Sequence, residues 1–160
     1  MIRTLGLGLL LLLAVPAVAQ AEASDAAAAV SRCLEKAENE PLGARTCIDT
    51  YANACLDEGR DPSTSGEAGC YRREAEAWDA RLNADYKALM ARLTKEKAAK
   101  LRESERAWIE ARKTTCSFYS AFHDGGSMAQ IMSAACYNRH TAERALFLKG
   151  FMDNAADAGQ

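Results

Sequence analysis

The chain has 160 residues, of which 49% are hydrophobic and 26% charged, with a formal net charge of −2. That length suits one domain with an extra arm, and the composition excludes a disordered or low-complexity chain. The charge excludes a generally basic nucleic-acid binder. Six cysteines remain to be explained, because cytosolic proteins rarely carry that many without a metal or redox motif.

The first residues read as an address. Met1-Ile2-Arg3 is a short positive region, Leu5 to Val15 an apolar run, and Ala17-Val18-Ala19 a small-x-small cleavage site. This is the pattern of a secretory signal peptide over residues 1–19, cut after Ala19. The run is too short to span a bilayer, so no membrane anchor is expected after cleavage. Removing it deletes Arg3 and no acid, which makes the mature balance −3. All six cysteines stay in a chain expected to be periplasmic or secreted, where an even count reads as disulfides.

Breakers cluster at Asn39-Glu40-Pro41, at Glu58 to Gly69 and at Asp124-Gly125-Gly126. Between them the chain is rich in Ala, Leu, Glu, Lys and Arg, and no run alternates like a strand. Apolar residues recur at helical steps, as in Trp78, Leu82, Tyr86, Leu89 and Leu93. The pattern predicts five helices, over 24–38, 42–57, 66–93, 95–122 and 127–150, in an all-α, disulfide-stapled antiparallel helical bundle. Pro41 is expected in the first turn of the second helix. Thr64 with Glu67, and Ser127 with Gln130, fit capping boxes, and Thr94 can cap a helix starting at Lys95. The domain reading is a signal peptide (1–19), an N-terminal helical extension (20–49), a helical domain (50–150) and a flexible tail (151–160).

Helices joined by short turns bring cysteines at similar distances from the turn level with one another. Cys33 and Cys47 flank the Pro41 turn, Cys55 and Cys70 the 58–69 loop, and Cys116 and Cys136 the glycine turn. Cys47 and Cys55 share a helix about 12 Å apart, too far to bond. The expected pairs are therefore Cys33–Cys47, Cys55–Cys70 and Cys116–Cys136, the last being the firmest; the pairing of the first four cysteines stays open, with Cys33–Cys70 possible only if Cys47 and Cys55 find other partners. No CxxC occurs and the spacings match no zinc pattern, so no metal or other cofactor is expected.

Chemistry is sparse. His123 and His140 are the only histidines, and both read as surface residues. No nucleophile elbow, zincin motif or phosphate-binding loop is present. Glu74 beside Trp78, and Glu105 beside Trp108, could mimic an acid against an aromatic wall, but ordinary packing explains them as well. The basic cluster from Lys95 to Arg106 is interleaved with acids and reads as a solvated face. Two constellations stand out. Trp78-Asp79-x-x-Leu82-Asn83-x-x-Tyr86 places its apolar residues on one helical face with Asp79 and Asn83 beside them. Glu105, Trp108, Arg112 and Cys116 share a face of the next helix. The expectation is a hydrogen-bonded network in which Asp79 or Asn83 meets Arg112.

These elements resemble a known family. Asp79 to Tyr86 (D-x-x-L-N-x-x-Y), Arg106 to Cys116 (R-A-W-I-x-x-R-x-x-x-C), the Gly126-Ser127 turn and the ending Cys136, Arg144, Leu148 are similar to the lysozyme-inhibitor LprI-like domain family, over roughly residues 50–150. The sequence departs from the family pattern at Glu105, where many members carry glutamine, and at Lys113, where many carry an acid. The resemblance implies a helical disulfide-stapled fold and inhibition of lysozyme by binding. The motif residues are then structural or binding residues, and no catalytic residue is expected. The expected partner is a protein, a lysozyme-type or related cell-wall hydrolase, met by exposed acids of the second loop: Asp57, Glu58, Asp61 and Glu67. The competing readings are an envelope structural or interaction module without inhibitory activity and, more remotely, a hydrolase using Glu and Asp. The sequence sets no oligomeric state.

Overall fold

A computed structural model describes residues 17–37 and 43–157. Five α-helices follow one another: α1 (Ala17–Ala37), α2 (Thr50–Glu58), α3 (Thr64–Arg92), α4 (Lys95–Phe122) and α5 (Ser127–Asp157). A short 3-10 turn, Gly43–Cys47, precedes α2. Most of the expected leader, residues 1–16, and the Pro41 turn lie outside the described residues. The last helix runs to Asp157, beyond the Phe151 at which the sequence pattern fades.

The second predicted helix, 42–57, is replaced by two shorter pieces. Asp49 takes a left-handed backbone, with φ 69°, and so breaks the helical path between Cys47 and Thr50. Helix α4 has the predicted bounds, and Thr94 caps it, its Oγ1 accepting from Lys97 N. Helix α3 begins two residues early. Its cap is Ser63 rather than Thr64, with Ser63 Oγ accepting from Gly66 N at 3.1 Å. The chain folds back so closely here that a Cβ on Gly66 would collide with Asp61, which glycine avoids. Ser127 is the first residue of α5 and not its cap.

Helix α3 packs along α5, and α1 and α2 cover the N-terminal part of α3. Helix α4 runs antiparallel to α5 and packs along it, while α3 and α4 diverge from their tight turn. The core is made of Ala26 and Val30 from α1, Trp78, Leu82 and Leu89 from α3, and Ala142, Ala145 and Leu148 from α5. Alanine on the facing helices permits close approach, and Trp78 fills the largest share of the volume. Three disulfides close the structure: Cys33–Cys47, Cys55–Cys70 and Cys116–Cys136, with Cα–Cα distances of 5.6, 5.7 and 5.5 Å. These are the pairs read from the turns. Among the described residues no helix is long and apolar enough to cross a membrane.

Candidate functional site

The divergence of α3 and α4 opens a cleft whose floor is α5. One half, about 610 Å³, is lined by Arg72, Asp79, Arg112, Ser133, Tyr137 and Thr141 among others. The other half, about 350 Å³, lies between the two helices and shares Asp79 and Arg112 with the first. Its α3 wall carries Asp79, Leu82, Asn83 and Tyr86, and its α4 wall carries Glu105, Arg106, Trp108 and Arg112. Helical spacing explains this: steps of three and four keep each motif on one face of its helix. Trp78 points away from the cleft into the core. Ser127 is exposed at the start of α5.

The α4 wall is anchored to the α5 floor. Arg144 donates from Nε and Nη2 to Glu105 Oε1, at 2.9 and 2.6 Å, and from Nη2 to Ser104 Oγ. Both side chains are largely buried, so this is a desolvated ion pair with a supporting hydrogen bond. Arg112 donates from Nη1 to Thr141 Oγ1 at 2.8 Å. Its guanidinium lies 4.4 Å from the Trp108 ring centre and 5.0 Å from that of Tyr137. Such contacts are attractive because the ring face is electron-rich. Further along, Ser133 Oγ donates to Cys116 O beside the Cys116–Cys136 bond.

The expected meeting of Asp79 or Asn83 with Arg112 does not occur. Asn83 donates to Asp79 Oδ2 within the same turn pattern of α3, and Arg112 turns to Thr141 across the floor. The physical reason is the splay of α4, which leaves an open gap where a tight hairpin would have closed the pair.

A second polar centre lies under α2. Glu74 is fully buried and its carboxylate accepts five hydrogen bonds. Oε1 takes Asp49 N (2.7 Å), Trp78 Nε1 (3.0 Å) and Asn138 Nδ2 (3.0 Å), and Oε2 takes Tyr51 N and Ala52 N (both 2.8 Å). Asp49 in turn accepts from Asn138 Nδ2 and pairs with Arg139. Nothing in the sequence pattern marks Asp49, Asn138, Arg139 or Thr141, which are polar residues outside the two motifs.

The acidic loop lies apart from the cleft. Asp57, Glu58 and Asp61 are exposed, while Glu67 is half-buried in the first turn of α3. Glu58 pairs with Arg60, and the hydrogen bonds from Ser63 hold the Asp61 carboxyl below the usual carboxylate range. Of the histidines, His123 closes α4 with its ring edge-on to Phe122 at 5.0 Å. His140 is half-buried rather than exposed. One of its ring nitrogens lies within 4.8 Å of the sulfurs of Cys116 and Cys136. Those sulfurs are bonded to each other and offer no thiolate to a metal.

Residues 55–148 match the model of the lysozyme inhibitor LprI family. The chain belongs to that family. The matched segment of this LprI-family protein starts at Cys55 and ends at Leu148, so it contains both walls of the cleft, its floor and two of the three disulfides. Comparison with curated proteins and with solved structures gives no match.

Proposed function

We propose that the protein is exported and binds a lysozyme-type cell-wall hydrolase non-covalently, inhibiting it without catalysing a reaction itself. The family match over residues 55–148 carries this reading. Export is supported by the leader pattern of residues 1–19 and by three disulfides, which persist in oxidising compartments.

A non-catalytic role is supported by what the two acid–aromatic pairs do. Glu74 is committed to five donors and Glu105 to Arg144, so each carboxylate serves the fold. The acids Asp57, Glu58, Asp61 and Glu67 are the contact surface in this reading. The Cys55–Cys70 bond pins the base of their loop, which reduces the ordering cost of binding. Acids on this loop suit a cationic hydrolase and would speed encounter.

The test is an inhibition assay of the purified protein against c-type and g-type lysozymes. Saturable inhibition of at least one type is expected. Absence of any effect at micromolar protein would sink the reading. A second reading, an envelope interaction module without inhibitory activity, is favoured by the exposed Phe118, Phe122 and Met128 near the α4–α5 turn. Recovery of a stable envelope partner other than a lysozyme would select it.

A further inference from the structure

Arg112 is held by two aromatic rings and one hydrogen bond. The Trp108 and Tyr137 rings lie against its guanidinium, and Thr141 takes Nη1. Thr141 is itself oriented, because its hydroxyl donates to Tyr137 O at 2.7 Å. The Nε of Arg112 is buried and has no acceptor among the described residues. An unpaired buried donor costs about 1–3 kcal/mol, and more when charged.

Arg144 of α5, whose guanidinium also approaches the Trp108 ring, shows how this edge of a guanidinium is satisfied. Its Nε and Nη2 converge on a single carboxylate oxygen of Glu105. The matching edge of Arg112 meets no carboxylate among the described residues. The acid that shares both halves of the cleft with it, Asp79, is bonded to Asn83 and makes no ion pair with Arg112. The cleft therefore presents Arg112 on one wall, the acids Asp79 and Glu76 with Arg72 on the other, and the rings of Trp108 and Tyr137 near the Arg112 cation. Its volume falls in the range of small-molecule sites.

We propose that this cleft binds a small ligand of the amino-acid or short-peptide class. The ligand carboxylate pairs with the Arg112 guanidinium that lines both halves of the cleft, and its amino group donates to Asp79. Apolar side groups lie against Trp108 and Tyr137. A simple carboxylate would satisfy Arg112 alone, whereas a peptide carries both complementary charges on one frame. The site is separate from the acidic loop, so it does not depend on inhibition of a hydrolase.

The experiment is a titration of the 15N-labelled protein, following the Arg112 Nε–H and Trp108 indole resonances. The probes are trialanine, trialanine with an amidated C-terminus, N-acetyl-trialanine and acetate. Saturable shifts are expected with trialanine, and binding weaker by roughly tenfold with the amide. Arg112→Gln should abolish the response and Arg112→Lys should weaken it, because lysine lacks the planar fork. Asp79→Asn should weaken trialanine while leaving the N-acetyl peptide unchanged. The variants' disulfides and helix content, read by peptide mapping and circular dichroism, check that they fold. Should Arg112→Gln fail to fold, Arg112→Lys and the amidated peptide still decide the matter. Equal binding of acid and amide, equal shifts with acetate at the same concentration, or no saturation up to about 10 mM would overturn the proposal.

Discussion

The Glu74 carboxylate does for α2 what the side chain of Asp49 does not. Asp49 occupies the capping position, yet its side chain makes no capping bond and turns instead to Asn138 and Arg139. Glu74 reaches from α3 and takes the backbone N–H groups of Asp49, Tyr51 and Ala52. A negative charge at a helix N-terminus meets both the unpaired donors and the positive end of the helix dipole. The short α2 is thereby capped by a residue from another helix.

Replacing Glu74 should be among the most damaging single changes. Glu74→Ala leaves buried donors on α2, Trp78 and Asn138 without an acceptor. A loss of about 3–5 kcal/mol in unfolding free energy is expected, from breaking a buried charged network. Urea denaturation would measure it. Glu74→Gln should cost less, since one amide oxygen remains, though its NH2 then faces other donors. A loss below 1 kcal/mol for Glu74→Ala, on the order of a surface change, would contradict the capping role.

The Glu105–Arg144 pair makes a sharper test of coupling. Arg144→Met strands a buried carboxylate and should cost about 3–5 kcal/mol. Glu105→Gln keeps an acceptor for Arg144 and should cost clearly less. The double variant Glu105→Gln with Arg144→Met should recover part of the single loss, giving a non-zero coupling energy. Strict additivity in denaturant melts would show that the two residues act independently.

Breaking the Cys116–Cys136 bond frees a loop with a sequence separation of 20. The chain-entropy relation puts this at about 3 kcal/mol. The paired serine variant should therefore melt lower while retaining helix content by circular dichroism. No change in melting temperature would mean that the α4–α5 contacts hold the helices level by themselves.

Asp85 gives a pH-dependent prediction. Burial pushes its carboxyl above the ordinary value, against the opposing pull of Lys149 and Arg81. The ionised form is thus disfavoured in the folded state, so its penalty is present at neutral pH and fades as the group protonates. Asp85→Asn should stabilise the protein modestly at pH 7 and lose that advantage as pH falls through the raised pKa. Asp61, Glu96 and Glu103 run the other way, since their hydrogen bonds favour the ionised form. Stability melts of both proteins across acid pH would show the difference shrinking as pH falls, and a constant difference would refute it.

The helices and their staples were legible in the sequence because both are local. Trp78, Leu82, Tyr86 and Leu89 repeat at helical steps, and each cysteine pair flanks a visible breaker. The shift from Thr64 to Ser63 at the start of α3 is a one-residue contest between adjacent hydroxyls, which composition does not decide. The break at Asp49 was illegible, since the carboxylate that takes its N–H, Glu74, lies 25 residues away. The candidate cleft was half legible. Spacing placed each motif on one face, but whether those faces touch or stand apart depends on the angle of α4. That angle is set by contacts to α5, such as Arg112 to Thr141 and Glu105 to Arg144.

The hub under α2 also dictates an order of assembly. Asn138 joins Glu74 across 64 residues and Asp49 across 89. A growing chain can close Cys33–Cys47 and Cys55–Cys70 early, because both partners are near in sequence. It cannot satisfy Asp49 and Glu74 fully until α5 has emerged. The first two staples thus hold an unfinished N-terminal half, and the last helix completes it.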